Sequence, residues 1–201
     1  MENYMIKFLS DSITTKAFQP YYQELGIIDQ PKKQQTLVGR VLLANLVGMP
    51  VKDAIKNVDI DFGHYGKPYF VPNGYHFNIA HSHDAVLVAI ADHPIGVDLE
   101  QIRPYDYTRI TRAFTPDELE YLKNLKGKRQ GEQALRLWTI KEAVLKLQGV
   151  GLIGKPKTVV TTLPHMESAR RNDDLYQINF LDVGWKYIGT LATQVENENE
   201  R

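Results

Sequence analysis

The chain has 201 residues, no cysteine, and 24 Lys plus Arg against 24 Asp plus Glu, for a formal net charge of +0. This length lets roughly 70% of the unfolded surface be buried without covalent staples, in one large domain or two small ones. The charge balance argues against a nucleic-acid binder, which carries a basic excess, and the missing cysteine excludes a disulfide framework, a thiolate nucleophile and a sulfur-ligated metal.

Residues 1–30 are mixed and give no firm period. Their first five, Met1-Glu2-Asn3-Tyr4-Met5, lack the basic start and apolar core of a signal peptide. No apolar run reaches the roughly 18 residues of a membrane span, so a cytoplasmic protein is expected. Leu37, Val41, Leu42 and Leu46 fall at helical spacing and predict a helix over Thr36–Val47, stopped by Gly48-Met49-Pro50. A short helix over Val51–Asn57 and a loop over Gly63–Tyr69 follow. Tyr75–His81 and Ala85–Ala91 read as strands paired around Ser82-His83-Asp84, with Ile95–Leu99 as a third. Thr115-Pro116-Asp117-Glu118 is a capping box with proline at the first helical position, and starts a helix reaching Leu125. Lys126-Gly127-Lys128-Arg129-Gln130-Gly131 reads as a basic, flexible loop. Glu132–Gln148 reads as the longest helix. Strands are expected over Thr158–Thr162, Tyr176–Leu181 and Trp185–Thr193, then a disordered tail from Glu196. Helices therefore come in blocks between strand blocks, which predicts an α+β fold with antiparallel pairing and a seam near His93-Pro94.

Two segments carry chemistry. In Gly96-Val97-Asp98-Leu99-Glu100, alternation along a strand aims Asp98 and Glu100 at one face. They are either acids facing water at a strand end or a pair held around a cation. Two close carboxylates repel unless a cation or a proton intervenes, and an all-oxygen donor set suits Mg²⁺ or Mn²⁺ rather than zinc. In Trp138-Thr139-Ile140-Lys141-Glu142-Ala143-Val144-Leu145-Lys146, Glu142 and Lys146 share a helix face, as a surface ion pair or as a functional one. Lys141 lies on or beside the buried stripe of Leu137, Trp138 and Leu145. It either covers apolar surface with its stem or is pinned against an anion. If the segments converge, three carboxylates and one or two ammonium groups suit a hard cation and a polyphosphate. His81-Ser82-His83-Asp84 has a His-x-His spacing, but at a turn this reads as polar surface rather than a zinc site. Lys123, Lys126, Lys128 and Arg129 form a basic cluster, read as a solvated surface or a landing patch for an acidic partner.

These segments resemble the larger, surfactin-synthetase-activating (Sfp-like) type of 4′-phosphopantetheinyl transferase. That family carries Gly-Val-Asp-x-Glu, then Trp-[Ser/Thr]-x-Lys-Glu-Ala-x-x-Lys, then Gly-x-Gly-Leu, here Gly149-Val150-Gly151-Leu152. Gly66-Lys67-Pro68-Tyr69, Phe77-Asn78-Ile79-Ala80-His81-Ser82 and Phe114-Thr115 to Glu118 are similar to further family blocks, in family order over residues 66–152. The resemblance implies Mg²⁺-dependent transfer of the phosphopantetheine arm of coenzyme A to a serine of an apo acyl, peptidyl or aryl carrier protein, with release of 3′,5′-ADP. It implies two similar halves, 1–93 and 94–201, each an antiparallel sheet with a long helix packed on it. Coenzyme A would lie between them in a monomer.

By the same resemblance Asp98, Glu100 and Glu142 are metal ligands, Lys146 contacts the pyrophosphate and His81 another phosphate. Lys67 and Pro68 lie beside the adenine, Lys141 is a further contact, and Glu142 is also the candidate base. Two positions depart from the pattern. Ala80 replaces a serine, and Gln35 an arginine that grips the 3′-phosphate, leaving Lys32, Lys33 or Arg40 as substitutes. The competing readings are a Mg²⁺-dependent nucleotide phosphohydrolase and a non-catalytic module binding coenzyme A or carriers.

Overall fold

The computed structural model describes residues 2–56, 60–64, 66–70, 75–104 and 106–195. Tyr105 and the tail from Glu196 lie outside them. The chain opens with strand β1 (Asn3–Phe8) and helix α1 (Ser12–Glu24), neither legible from a hydrophobic period. Helix α2 (Pro31–Val47) starts on a proline and ends on Gly48 at φ 71°, a left-handed cap that glycine adopts freely. It buries Leu37, Val38, Val41 and Leu42.

Helix α3 (Val51–Ile55) is followed by strands β2 (Ile60–Phe62) and β3 (Pro68–Phe70), a small ribbon in the stretch expected to be loop. Strands β4 (His76–Ser82), β5 (Ala85–Ala91) and β6 (Ile95–Gln101) come where expected. Tyr107–Ala113 is a 3-10 stretch. Helix α4 (Pro116–Lys123) forms the capping box in full, Thr115 accepting from Glu118 N and Glu118 accepting from Thr115 N.

Helix α5 spans Gly127–Leu147, so the segment expected to be a flexible basic loop is helical from its second residue. Gly127 and Gly131 lower helix propensity, but tertiary contacts override it. Gln130 Nε2 donates to Leu122 O and Leu125 O, both at 2.9 Å, tying the new turn to the end of α4. Lys128 pairs with Glu132 at 3.3 Å.

Strands β7 (Val160–Thr161), β8 (Ser168–Arg171), β9 (Asp174–Leu181) and β10 (Tyr187–Gln194) complete the chain. The short, charged β8 was not anticipated. Its signal is the Asn172-Asp173 turn into β9, where Asn172 has φ 54°.

All strand pairing is antiparallel, and the fold is α+β as expected. One sheet has the order β1-β5-β4, another β6-β10-β9-β8-β7. Strand β5 is buried throughout. Its Val86, Val88 and Ile90 pack with α2, while Ala85, Leu87, Ala89 and Ala91 pack with Ile95, Val97, Leu99 and Leu191 of the other sheet. On that sheet's far side, Ile140, Ala143, Val144 and Leu147 of α5 pack against Tyr176, Ile178 and Ala192. The layers therefore run α2, three-stranded sheet, five-stranded sheet, α5.

Gly96 sets the last of these contacts. A Cβ built there would lie 2.0 Å from Ala143 O and 2.4 Å from Leu147 N. Only a residue without a side chain lets α5 come this close to β6. Gly96→Ala is expected to destabilise the protein by at least about 3 kcal/mol, because backbone rather than a flexible side chain must give way; the urea unfolding midpoint checks it.

Candidate active site

Alternation along β6 puts Ile95, Val97 and Leu99 into the core between the sheets and turns Gly96, Asp98 and Glu100 to the α5 side. With α5 seated on Gly96, Lys146 Nζ reaches Asp98 Oδ1 at 2.6 Å. Glu142 lies one turn earlier on the same helix face. The two sequence segments thus converge.

Asp98 and Glu142 are buried, and Asp98 Oδ2 and Glu142 Oε1 accept no hydrogen bond. Burial is the chief cause raising the pKa of all three carboxyls. Glu142 is pushed up to about 7 by burial, with Asp98 and Glu100 adding repulsion that Lys146 only partly offsets. Asp98 is raised against the pull of Lys146, and Glu100 by burial and by Asp98.

Among the described residues no three His, Cys, Asp or Glu groups are clustered as a metal site with their side chains as they stand. The donor set nevertheless fits a hard divalent cation. It is all oxygen, mutually repelling, and holds two buried oxygens without a donor.

Strand β4 supplies the opposite wall. His81 stands at its end with its ring partly desolvated, and its pKa is lowered first by that desolvation and next by Lys146, with Lys32 of α2 adding to the effect and Asp98 opposing it. Lys146 and Lys32 therefore disfavour the charged form of His81, an effect that a bound anion would relieve. Ser82 joins the walls by donating to Glu100 Oε2 at 3.1 Å. The rest of the His81–Asp84 turn is structural: Asp84 accepts from Ser10 and Tyr187.

Other candidates go elsewhere. Lys141 is fully buried and pairs with Glu118 at 2.8 Å, also donating to Val159 O. Its anion belongs to the protein, and the expected ligand contact is corrected. Glu118 in turn accepts from Thr115 N and Thr161 N, so α4, α5 and β7 meet at one carboxylate. Lys67 runs beside Gly149 and donates to Ile95 O at 3.1 Å and Leu147 O at 2.8 Å. Burial lowers its pKa to about 8. Its ammonium caps the last turn of α5, while Pro68, in β3, is half-buried. Arg40 donates to Ile55 O at 2.8 Å, tying α2 to α3; Lys33 is exposed beside Lys32. Gln35 is buried and donates to His83 O.

Sequence reasoning missed Asn78 and Ser82 as individuals, although both stand in the quoted Phe77–Ser82 block. Two polar side chains four residues apart on one face of β4 were the available signal.

Together α5, β6 and β4 gather three acids flanked by Lys146 and His81, chemistry for a divalent ion and a polyphosphate. The model of the 4′-phosphopantetheinyl transferase superfamily matches residues 94–188. The chain is 34% identical over 121 residues to the 4′-phosphopantetheinyl transferase psf-1 of Bacillus pumilus, covering 59% of this chain and 52% of that protein. It is 29% identical over 152 residues to gsp of Aneurinibacillus migulanus, covering 76% and 62%, and 29% over 149 residues to Sfp of Bacillus subtilis strain 168, covering 73% and 63%. These matches thus span about half to three fifths of the relatives' own length. Residues 94–188 are thus similar to the 4′-phosphopantetheinyl transferase superfamily.

Two outcomes test this geometry. Lys141→Met leaves Glu118 as an unpaired buried charge and should cost about 3–5 kcal/mol in urea unfolding; unchanged stability with lost ligand affinity would restore Lys141 as a ligand contact. A nucleotide phosphate placed beside His81 should raise its pKa, since an added anion favours imidazolium. By linkage, affinity is full below the free-state pKa and falls as pH rises through the bound-state value. Titrating the His81 ring protons by NMR with and without nucleotide checks both.

Proposed function

We propose that this protein transfers the 4′-phosphopantetheine arm of coenzyme A to a serine of an apo carrier protein of acyl, peptidyl or aryl type, releasing 3′,5′-ADP. The observation that carries the reading is the convergence of Asp98 and Glu142, each with a buried oxygen lacking a donor, beside Lys146. The match of residues 94–188 to the superfamily's model, and similarity to relatives named as 4′-phosphopantetheinyl transferases, support it.

Asp98, Glu100 and Glu142 are the residues to hold Mg²⁺, or Mn²⁺ in its place. Such an ion, when bound, lends positive charge to the diphosphate as the leaving group departs. Lys146 and His81 contact diphosphate and phosphate oxygens. Lys32 and Lys33 face the 3′-phosphate in place of the missing arginine. The loop Gly66–Pro68, anchored by Lys67 on Ile95 and Leu147, lies beside the adenine.

Glu142 is the base that takes the proton of the incoming serine hydroxyl. The serine oxygen bonds to the phosphorus nearer the pantetheine arm, and the bond from that phosphorus to the bridging oxygen breaks. That oxygen leaves with 3′,5′-ADP. No cysteine is needed, because the carrier supplies the nucleophile.

In this reading residues 1–93 receive the adenine and 3′-phosphate, and residues 94–201 supply the acids and pyrophosphate contacts. The chain acts as a monomer in the cytoplasm. No helix among the described residues is long and apolar enough to cross a membrane.

Treatment of a panel of apo carrier proteins with the protein, coenzyme A and Mg²⁺ should add the mass of the phosphopantetheine arm to one serine, with 3′,5′-ADP formed only when carrier is present. Glu142→Gln should slow this by about 10²-fold or more. Release of 3′,5′-ADP without carrier would instead identify a phosphohydrolase.

A further inference from the structure

Strands β4 and β6 are edges of different sheets and share no backbone ladder. An edge strand still carries outward N–H groups that need acceptors. Here side chains supply them. Asn78 Oδ1 accepts from Val97 N at 2.8 Å and Ser82 Oγ accepts from Gln101 N at 3.2 Å. Asn78 and Ser82 are four residues apart on β4, as are Val97 and Gln101 on β6, so the two edges run in step, stitched by side chains.

Ser82 does more than close the seam. A hydroxyl has one proton and two lone pairs. The proton goes to Glu100 Oε2 at 3.1 Å, while a lone pair takes the Gln101 N–H. One small side chain thus holds the backbone of β6 and, on the same strand, the carboxylate of Glu100. Glu100 is raised in pKa by burial and by Asp98, and the Ser82 hydroxyl is the leading group favouring its charged form. A carboxylate repelled by its neighbour has reason to swing toward water, and the hydroxyl opposes that.

We infer that Ser82 is a positioning residue, which fixes Glu100 beside Asp98 across the seam and so sets the cleft's affinity for a divalent cation. The inference rests on the reading of Asp98, Glu100 and Glu142 as the cation's ligands. Asn78, which touches β6 but not Glu100, holds the seam alone.

The test is Mn²⁺ titration of the full chain with saturating 3′,5′-ADP, read as free Mn²⁺ by electron paramagnetic resonance, for wild type, Ser82→Ala and Ser82→Thr. Unfolding without metal is followed in parallel. Ser82→Ala should weaken Mn²⁺ binding about tenfold or more, while Ser82→Thr, which keeps the hydroxyl, stays near wild type. Ser82→Ala binding as tightly as wild type overturns the inference alone. Equal loss in Ser82→Thr overturns it as well, because the hydroxyl would not be the cause. Wild type that takes up no Mn²⁺ overturns the cation reading of the three acids, and the inference with it.

Discussion

The structure depends on one contact of backbone against backbone, the last turns of α5 pressed onto Gly96 of β6. With a hypothetical Cβ 2.0 Å from Ala143 O, there is no slack for any side chain. The same strand face carries Asp98 two residues on, and the same helix carries Glu142 and Lys146 around the contact. A requirement of packing thus becomes a statement about charge. Bringing the helix close enough to bury its apolar stripe also brings an ammonium within 2.6 Å of Asp98. Had β6 carried an alanine at position 96, the helix would stand off and the charges would separate into solvated, independent groups.

Closeness has an electrostatic cost. Glu142, Asp98 and Glu100 share a partly dry region, and Lys146, with Arg103 acting on Glu100, does not offset their burial and mutual repulsion. Burial first, and repulsion from Asp98 and Glu100 next, push the Glu142 carboxyl up to about 7, and two buried oxygens have no donor. Across the cleft the sign reverses, since His81 is held toward its neutral form by burial and by Lys146, with Lys32 contributing. A site short of positive charge on one wall and short of negative charge on the other is matched to a ligand that brings both, a polyphosphate with its counter-cation.

Much of this was legible in the sequence where a local rule and the tertiary structure agree. The Thr115–Glu118 capping box, the apolar run of β5, the alternation of Asp98 and Glu100 on β6 and the shared face of Glu142 and Lys146 all depend on neighbours within a few residues. What escaped depends on distant partners. Strand β1 is specified by its pairing with β5, and the first turn of α5 by Gln130 reaching back to Leu122 and Leu125. Lys67 and Lys141 carried the right charge for a ligand, but Lys67 donates to the carbonyls of Ile95 and Leu147 and Lys141 pairs with the carboxylate of Glu118. No spacing rule distinguishes a lysine that meets a ligand from one that meets its own protein.

Lys141 and Glu142 are neighbours in sequence and so point about 100° apart around the helix axis. One enters the Glu118 network and the other the cleft. Turning α5 by a single residue toward the Glu118 network would drive the Glu142 carboxylate against that of Glu118, two like charges with no water between them. Opposite signs on adjacent residues thus act as a rotational key, fixing which stripe of the cylinder looks into the cleft.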